Sequence, residues 1–154
     1  MANCGRYGIE VGAEPGRTND TTTVDNNIVV NVNSFDGQYG FGIRESYNNG
    51  CNNVFNSNIV YNNRVNFDLS LCGNPADSSG NLTLTSAQFN ALFVNYTGNM
   101  NGDYHLQSGS AAAVDAGTNT KCAIGVSTCV PSTDFDGVAR PQGAAWDIGA
   151  YEWH

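Results

Sequence analysis

Short alternations of apolar and polar residues run through the first half of the chain and recur at near-regular intervals. Tyr7-Gly8-Ile9-Glu10-Val11 returns as Tyr39-Gly40-Phe41-Gly42-Ile43, 32 residues later, and in degenerate form as Val65-Asn66-Phe67-Asp68-Leu69, 26 residues further on. Between them, Asn27-Ile28-Val29-Val30-Asn31 reappears as Asn58-Ile59-Val60-Tyr61-Asn62, offset by 31. Two strand types therefore alternate, with a period of roughly 26 to 32 residues. That is the spacing of a solenoid whose turns each contribute two or three short strands. Each strand is too short to be stable alone, so Ile9 and Val11, Phe41 and Ile43, and Phe67 and Leu69 are expected to point inward and stack from turn to turn. Asn26 and Asn27, Asn52 and Asn53, and Asn62 and Asn63 border the strands. Asparagine tolerates the left-handed conformation at tight corners, and its amide can bond the Asn of the next turn, giving a structural ladder.

After Leu71 the repeat is expected to stop, with a turn-rich linker from Gly73 to Gly80. Thr85-Ser86-Ala87-Gln88-Phe89 predicts one short helical turn capped by Ser86. Leu92-Phe93-Val94, Asp103-Tyr104-His105-Leu106 and an Ala-rich stretch from Ser110 to Ala116 follow. Asp147-Ile148-Gly149-Ala150-Tyr151-Glu152-Trp153 alternates as a terminal strand, with Ile148, Ala150 or Tyr151, and Trp153 closing the end of the solenoid. The organisation predicted is coils over 1–72 and a C-terminal coil and cap region of the same domain over 73–154.

Composition agrees with an all-β chain: Val, Ile, Thr, Phe and Tyr alternate with Asn, Gly, Asp and Ser, and few helix formers cluster. Of the 154 residues, 40% are apolar and only 13% are charged, which excludes the charge-rich profile of a disordered chain. A net charge of −8 with six Lys and Arg excludes nucleic acid as a partner. It also disfavours a polyanionic polysaccharide unless a cation mediates, and leaves neutral glycans and divalent cations open. No apolar run approaches the length of a membrane span.

Five cysteines point to an exported protein. Cys122 and Cys129 flank a short segment suited to a small disulfide loop, and Cys51 and Cys72 sit in successive turn regions where stacked coils would bring them together. Cys4 is then the odd one out, and five buried free thiols are the alternative. Met-Ala-Asn-Cys-Gly at the start has neither a basic region nor an apolar core, so a signal peptide is not expected. The expectation is a longer exported protein that has been truncated, or whose gene has been fragmented.

The second half carries a specific resemblance. Gly102-Asp103-Tyr104-His105-Leu106, the run from Gly109 to Gly117, Asp134-Phe135-Asp136-Gly137-Val138-Ala139-Arg140-Pro141 and Asp147-Ile148-Gly149-Ala150-Tyr151-Glu152 follow one another in order. Together they resemble the C-terminal region of secreted bacterial right-handed parallel β-helix proteins of the pectate-lyase-like group, and the resemblance covers nearly the whole chain. It implies a right-handed parallel β-helix of about three coils plus an irregular C-terminal cap, an extracellular or cell-surface location, and polysaccharide binding or cleavage as a class. The chain departs from the enzymes of that group. The paired Asp and Gly-His-Gly signature of polygalacturonases is absent, and so is the acidic calcium cluster with a downstream Arg seen in pectate lyases. The one Lys, Lys121, lies in a loop rather than on a coil face.

Among groups that can carry chemistry, Arg6, Glu10, Arg44, Glu45 and Arg64 fall on the coils. Glu10, Arg44, Glu45 and Arg64 are the candidates for acid–base work on a sugar, against the simpler reading of ion pairs on a solvated sheet face. Arg6, Tyr39 and Trp146 are candidate ligand contacts. Asp134 and Asp136 have the spacing of an acidic cation loop suited to calcium, against the simpler reading of a salt bridge to Arg140 that pins the tail. No other cofactor is implied. The functional expectation is a carbohydrate-associated extracellular module, non-catalytic as it stands. The alternative is a polysaccharide lyase or glycoside hydrolase acting along the coil face. A first coil with nothing to cover it is further expected to stack on a second copy, making a homo-oligomer.

Overall fold

Structure is described, in a computed structural model, for residues 5–12, 21–33, 37–46, 53–69, 78–119 and 130–154. Regular structure there is almost all strand: β1 (Tyr7–Val11), β2 (Thr23–Asp25), β3 (Ile28–Val30), β4 (Phe41–Glu45), β5 (Val54–Asn56), β6 (Ile59–Tyr61), β7 (Val65–Asp68), β8 (Leu82–Thr83), β9 (Phe93–Asn95) and β10 (Asp103–Leu106). One five-residue helix, α1 (Ser86–Asn90), interrupts them. No described helix is long and apolar enough to cross a membrane. The chain is all-β.

Successive passes of the chain lay strand beside strand in parallel, as β1–β4–β7, β2–β5 and β3–β6–β8, while β9 and β10 pair antiparallel. The 31-residue offset read from the Asn-flanked strands is the register itself, since Ile28 lies opposite Ile59 and Val30 opposite Tyr61. The other strand type is shifted from its sequence alignment by two residues. Tyr7 lies opposite Phe41 rather than Tyr39, and Phe41 opposite Val65. An even shift leaves every side chain on its own face, and this one aligns Ile9, Ile43 and Phe67 in a single stack. Phe41, expected inside, is instead half-exposed against Tyr7 and the Arg44 guanidinium.

Asparagine supplies the corners and the bonds between passes. Asn26, Asn31 and Asn62 adopt the left-handed conformation, at φ 57°, 57° and 50°, as does Ser57 at 49°. Inside, an amide ladder runs through three passes. Asn58 Oδ1 accepts from the Asn27 backbone N–H (3.0 Å) and side-chain amide (3.1 Å). Asn81 Oδ1 accepts the same pair from Asn58, at 3.1 and 3.0 Å. Asn58 and Asn81 also donate to the carbonyls of Val24 and Phe55, both at 2.7 Å. These bonds satisfy buried backbone groups that the corners leave outside the sheet ladders.

The repeat does not end at Leu71. Leu82 pairs with Ile59 and Thr83 with Val60, so a further strand and ladder rung lie beyond the expected boundary at residue 72. Strand β3 is buried on both faces. Val29 joins Val11, Val24, Val32, Ile43, Phe55 and Val60 between the sheets. Ile28 and Val30 face the other way, with Ile59, into Leu84, Leu92, Leu106, Ala113 and Ile148. The C-terminal region is thus a layer laid along the outer face of β3–β6–β8, where a plug over the end was expected.

Residues 147–153 form no strand. Acidic side chains bond the tail's backbone instead: Asp147 accepts from the Asp115 and Trp153 N–H groups, and Glu152 from those of Gln142 and Asp147. Ile148 is buried as expected, whereas Trp153 is exposed. Thr85, not Ser86, caps α1, closing a capping box with Gln88.

Candidate functional site

On β1 and β4 and the residues just before them lies a strip of aromatic and arginine side chains, met at its edge by Asp68 of β7. The Arg6 guanidinium lies 4.1 Å over the Tyr39 ring. Tyr39 meets Tyr7 edge-on at 5.8 Å, and Tyr7 stacks on Phe41 at 5.9 Å. Arg44 lies 4.5 Å over Phe41, and its Nε is 3.2 Å from Asp68 Oδ2. Parallel pairing makes this row: Tyr7 is opposite Phe41, Glu10 opposite Arg44, and Arg44 opposite Asp68. Arg6, Arg44 and Arg64 are three of the chain's six cationic residues. Glu10 and Asp68, facing Arg44 from the two neighbouring strands, offset two of these three charges. Arg64 is exposed at the Gly40 corner and donates to the Gln38 carbonyl at 3.2 Å. Gly40 is required there, with φ +112° and the Arg64 Cβ 2.9 Å from where its own Cβ would stand.

The strip brings together Arg6 with Tyr39 and Glu10 with Arg44, but not Glu45. Expected on a solvated face, Glu45 is 1% exposed. It lies opposite Val11, and its Oε1 accepts from the Asn53 amide at 2.9 Å. Tyr7, Phe41 and Asp68 were missed as site residues. The two-residue register shift is the signal that places Asp68 beside Arg44. The ion pair is partly solvated, so it contributes at most ~1 kcal/mol and chiefly orients the guanidinium.

The tail's acids serve other ends. Asp134 is buried, and its carboxylate accepts from the backbone N–H groups of Asp136 (2.9 Å), Val138 (2.8 Å) and Glu152 (3.0 Å). Burial pushes this carboxyl up, but the three N–H bonds and nearby Arg140 outweigh it and hold the group below its ordinary range. Asp136 points elsewhere, to His105 Nε2 at 2.9 Å, while His105 Nδ1 meets Asp103 at 2.6 Å. The hydrogen bond to Asp136, then that to Asp103, raises the His105 pKa. Asp134 and Asp136 therefore converge on no common point, and among the described residues no three His, Cys, Asp or Glu gather as metal ligands. The Arg140 partner is Glu152, at 3.5 Å, and not Asp136; Arg140 also donates to the Gly149 carbonyl at 2.8 Å.

Trp146 is half-buried in the tail, where its carbonyl accepts from the Gly117 N–H. Cys4, Cys51, Cys72, Cys122 and Cys129, with Lys121, lie outside the described residues. No family model, curated protein or solved structure matches the chain.

Proposed function

We propose that the chain is an extracellular right-handed parallel β-helix and acts as a non-catalytic carbohydrate-binding module. The observation that carries the reading is the strip of Tyr7, Tyr39 and Phe41 flanked by Arg6 and Arg44. Aromatic rings offer apolar faces to sugar C–H groups, and guanidinium groups donate hydrogen bonds to sugar oxygens. Parallel strands about 4.8 Å apart set these groups in rows that suit an extended chain. The three parallel ladders and the asparagine rungs support the β-helix part of the reading. Binding without cleavage is favoured because Glu45 is drawn into the interior and Asp68 is tied to Arg44. Glycoside hydrolysis requires two carboxyl groups facing one bond across roughly 5 to 9.5 Å.

Affinity electrophoresis through gels cast with neutral and acidic polysaccharides tests it, run beside assays for new reducing ends and unsaturated products. The expected result is retardation by at least one glycan, no product, and weakening of about tenfold or more in Tyr7→Ala and Arg44→Ala. Retardation by none would refute the reading. Product formation abolished by Glu10→Gln or Arg44→Ala would replace it with the lyase or hydrolase.

A further inference from the structure

Away from that strip, a groove of about 600 Å³ opens between the β9–β10 hairpin and the tail. Its size suits a small organic ligand. One wall is Phe93, Tyr96 and Tyr104, packed together with centroids 5.5 to 6.0 Å apart. The other is Phe135 and Tyr151, edge to face at 5.9 Å. Phe135 is 79% exposed and Met100, also lining the groove, fully so. Side chains of this kind are ordinarily buried, and a soluble surface that displays them beside a groove marks a contact site.

Two properties narrow the occupant. Most of the lining amide groups already bond within the fold: both ends of the Asn26 amide to Thr118, the Asn27 amide nitrogen to Asp25 and Asn58, and the Asn99 amide oxygen to Thr97 and Asn101. A ligand that depends on many hydrogen bonds, as a sugar does, finds little there. Among the described residues, no Lys or Arg lines the groove. Beside it stand Asp103 and Asp136, bridged by His105, whose ring lies 4.1 Å from that of Tyr151. Even with His105 protonated this trio is net negative, while the buried Asp134 has Arg140 near it. Aromatic ring faces add their own negative potential.

We propose that the groove binds a small alkylated ammonium ion, a trimethylammonium type of ligand, with its methyl groups between the two aromatic walls. The charge then meets ring faces and the field of Asp103 and Asp136, and the methyl groups replace water on apolar surface. This site is separate from the glycan reading and stands or falls independently of it.

Isothermal titration with choline, and with its uncharged isostere 3,3-dimethylbutan-1-ol, is the test. Saturable choline binding is expected, at least tenfold tighter than that of the isostere, the scale of a desolvated cation–π contact. Phe135→Ala, at an exposed position that leaves the core intact, is expected to weaken choline about fivefold or more. Asp103→Asn with Asp136→Asn is expected to weaken choline and leave the isostere unchanged. Equal binding of choline and the isostere, no binding of choline, or insensitivity to Phe135→Ala would each overturn the proposal. So would displacement of choline by a neutral oligosaccharide, which would make the groove a sugar subsite.

Discussion

Replacing Asn58 by Ala isolates what the interior ladder contributes. Asn58 is wholly buried, and its side chain makes four bonds. It accepts from the Asn27 N–H and amide, and donates to the Val24 carbonyl and Asn81 Oδ1. Two of these losses are repaired in place, because the Asn27 amide still donates to the Asp25 carbonyl and Asn81 Oδ1 still accepts from the Asn58 backbone. The other two cost the Val24 carbonyl one of its two bonds, since the β2–β5 ladder bond from the Asn56 N–H remains, and leave the Asn27 N–H without its acceptor. At ~1–3 kcal/mol for the unsatisfied N–H and about 1 kcal/mol for the carbonyl's lost second bond, the loss is about 3 kcal/mol, a large part of the ~5–15 kcal/mol that holds a domain folded. Equilibrium urea unfolding followed by circular dichroism reads this as a midpoint lowered by about 1.5 M for a slope near 2 kcal/mol per M. Asn62→Gly is the control. It removes the 2.7 Å bond from Asn62 to Asn31 Oδ1 at an exposed position and leaves a residue suited to φ 50°. Its midpoint should move by no more than about 0.5 kcal/mol's worth. If Asn58→Ala moved it no further than Asn62→Gly, the ladder would be a by-product of the fold and not a support for it.

Two further predictions concern protonation. Burial outweighs two hydrogen bonds from Asn56 and raises the Asp25 pKa to about 6, so the folded chain holds this proton more tightly than the unfolded one. Stability should therefore fall as pH rises from about 4 to about 6 and level off above. Asp25→Asn keeps an acceptor for Asn56 and should flatten that slope in urea midpoints taken across pH 4 to 7; an unchanged slope would assign it to other groups. For His105 the sign is the same but the window is higher. Its bridge to Asp136 and Asp103 raises the folded pKa, so the support it gives is complete below pH 6.5 and fades as pH rises through that folded value. An NMR titration of the imidazole should give a midpoint above 6.5, with amide exchange at residues 134–137 quickening over the same range. A midpoint at or below 6.5 would mean the bridge does not form in solution.

Much of the first half was legible because its physics is local and repeated. Identical Asn-Ile-Val units meet the same corner and the same neighbours 31 residues apart, so register follows directly from self-similarity. The second strand type misled by two residues because Tyr-Gly occurs at both Tyr7 and Tyr39. Packing of Ile9, Ile43 and Phe67 decides the alignment, and a string of letters does not weigh packing. The same slip hid Asp68 from its partner Arg44. Glu45 was misplaced because alternation marks a face without saying whether an amide waits behind it. The tail was the least legible part. Its alternating letters read as a strand, yet Asp134, Asp147 and Glu152 bind backbone N–H groups that a strand would have paired with a neighbour.

The left-handed corners have a consequence for how such a chain can drift. Asn26 and Asn31 in one pass, and Ser57 and Asn62 in the next, enclose windows of identical length. The offset between passes meanwhile falls from 31 residues to 23 without disturbing the ladder. Within a window β3 serves two interiors at once, Val29 on one side and Ile28 with Val30 on the other. One inserted residue there would exchange the two faces and spoil both interiors together, whereas one inserted between windows need only lengthen a loop. Length changes that survive during descent should therefore gather between the windows, leaving them as fixed rulers along a chain otherwise free to grow or shrink.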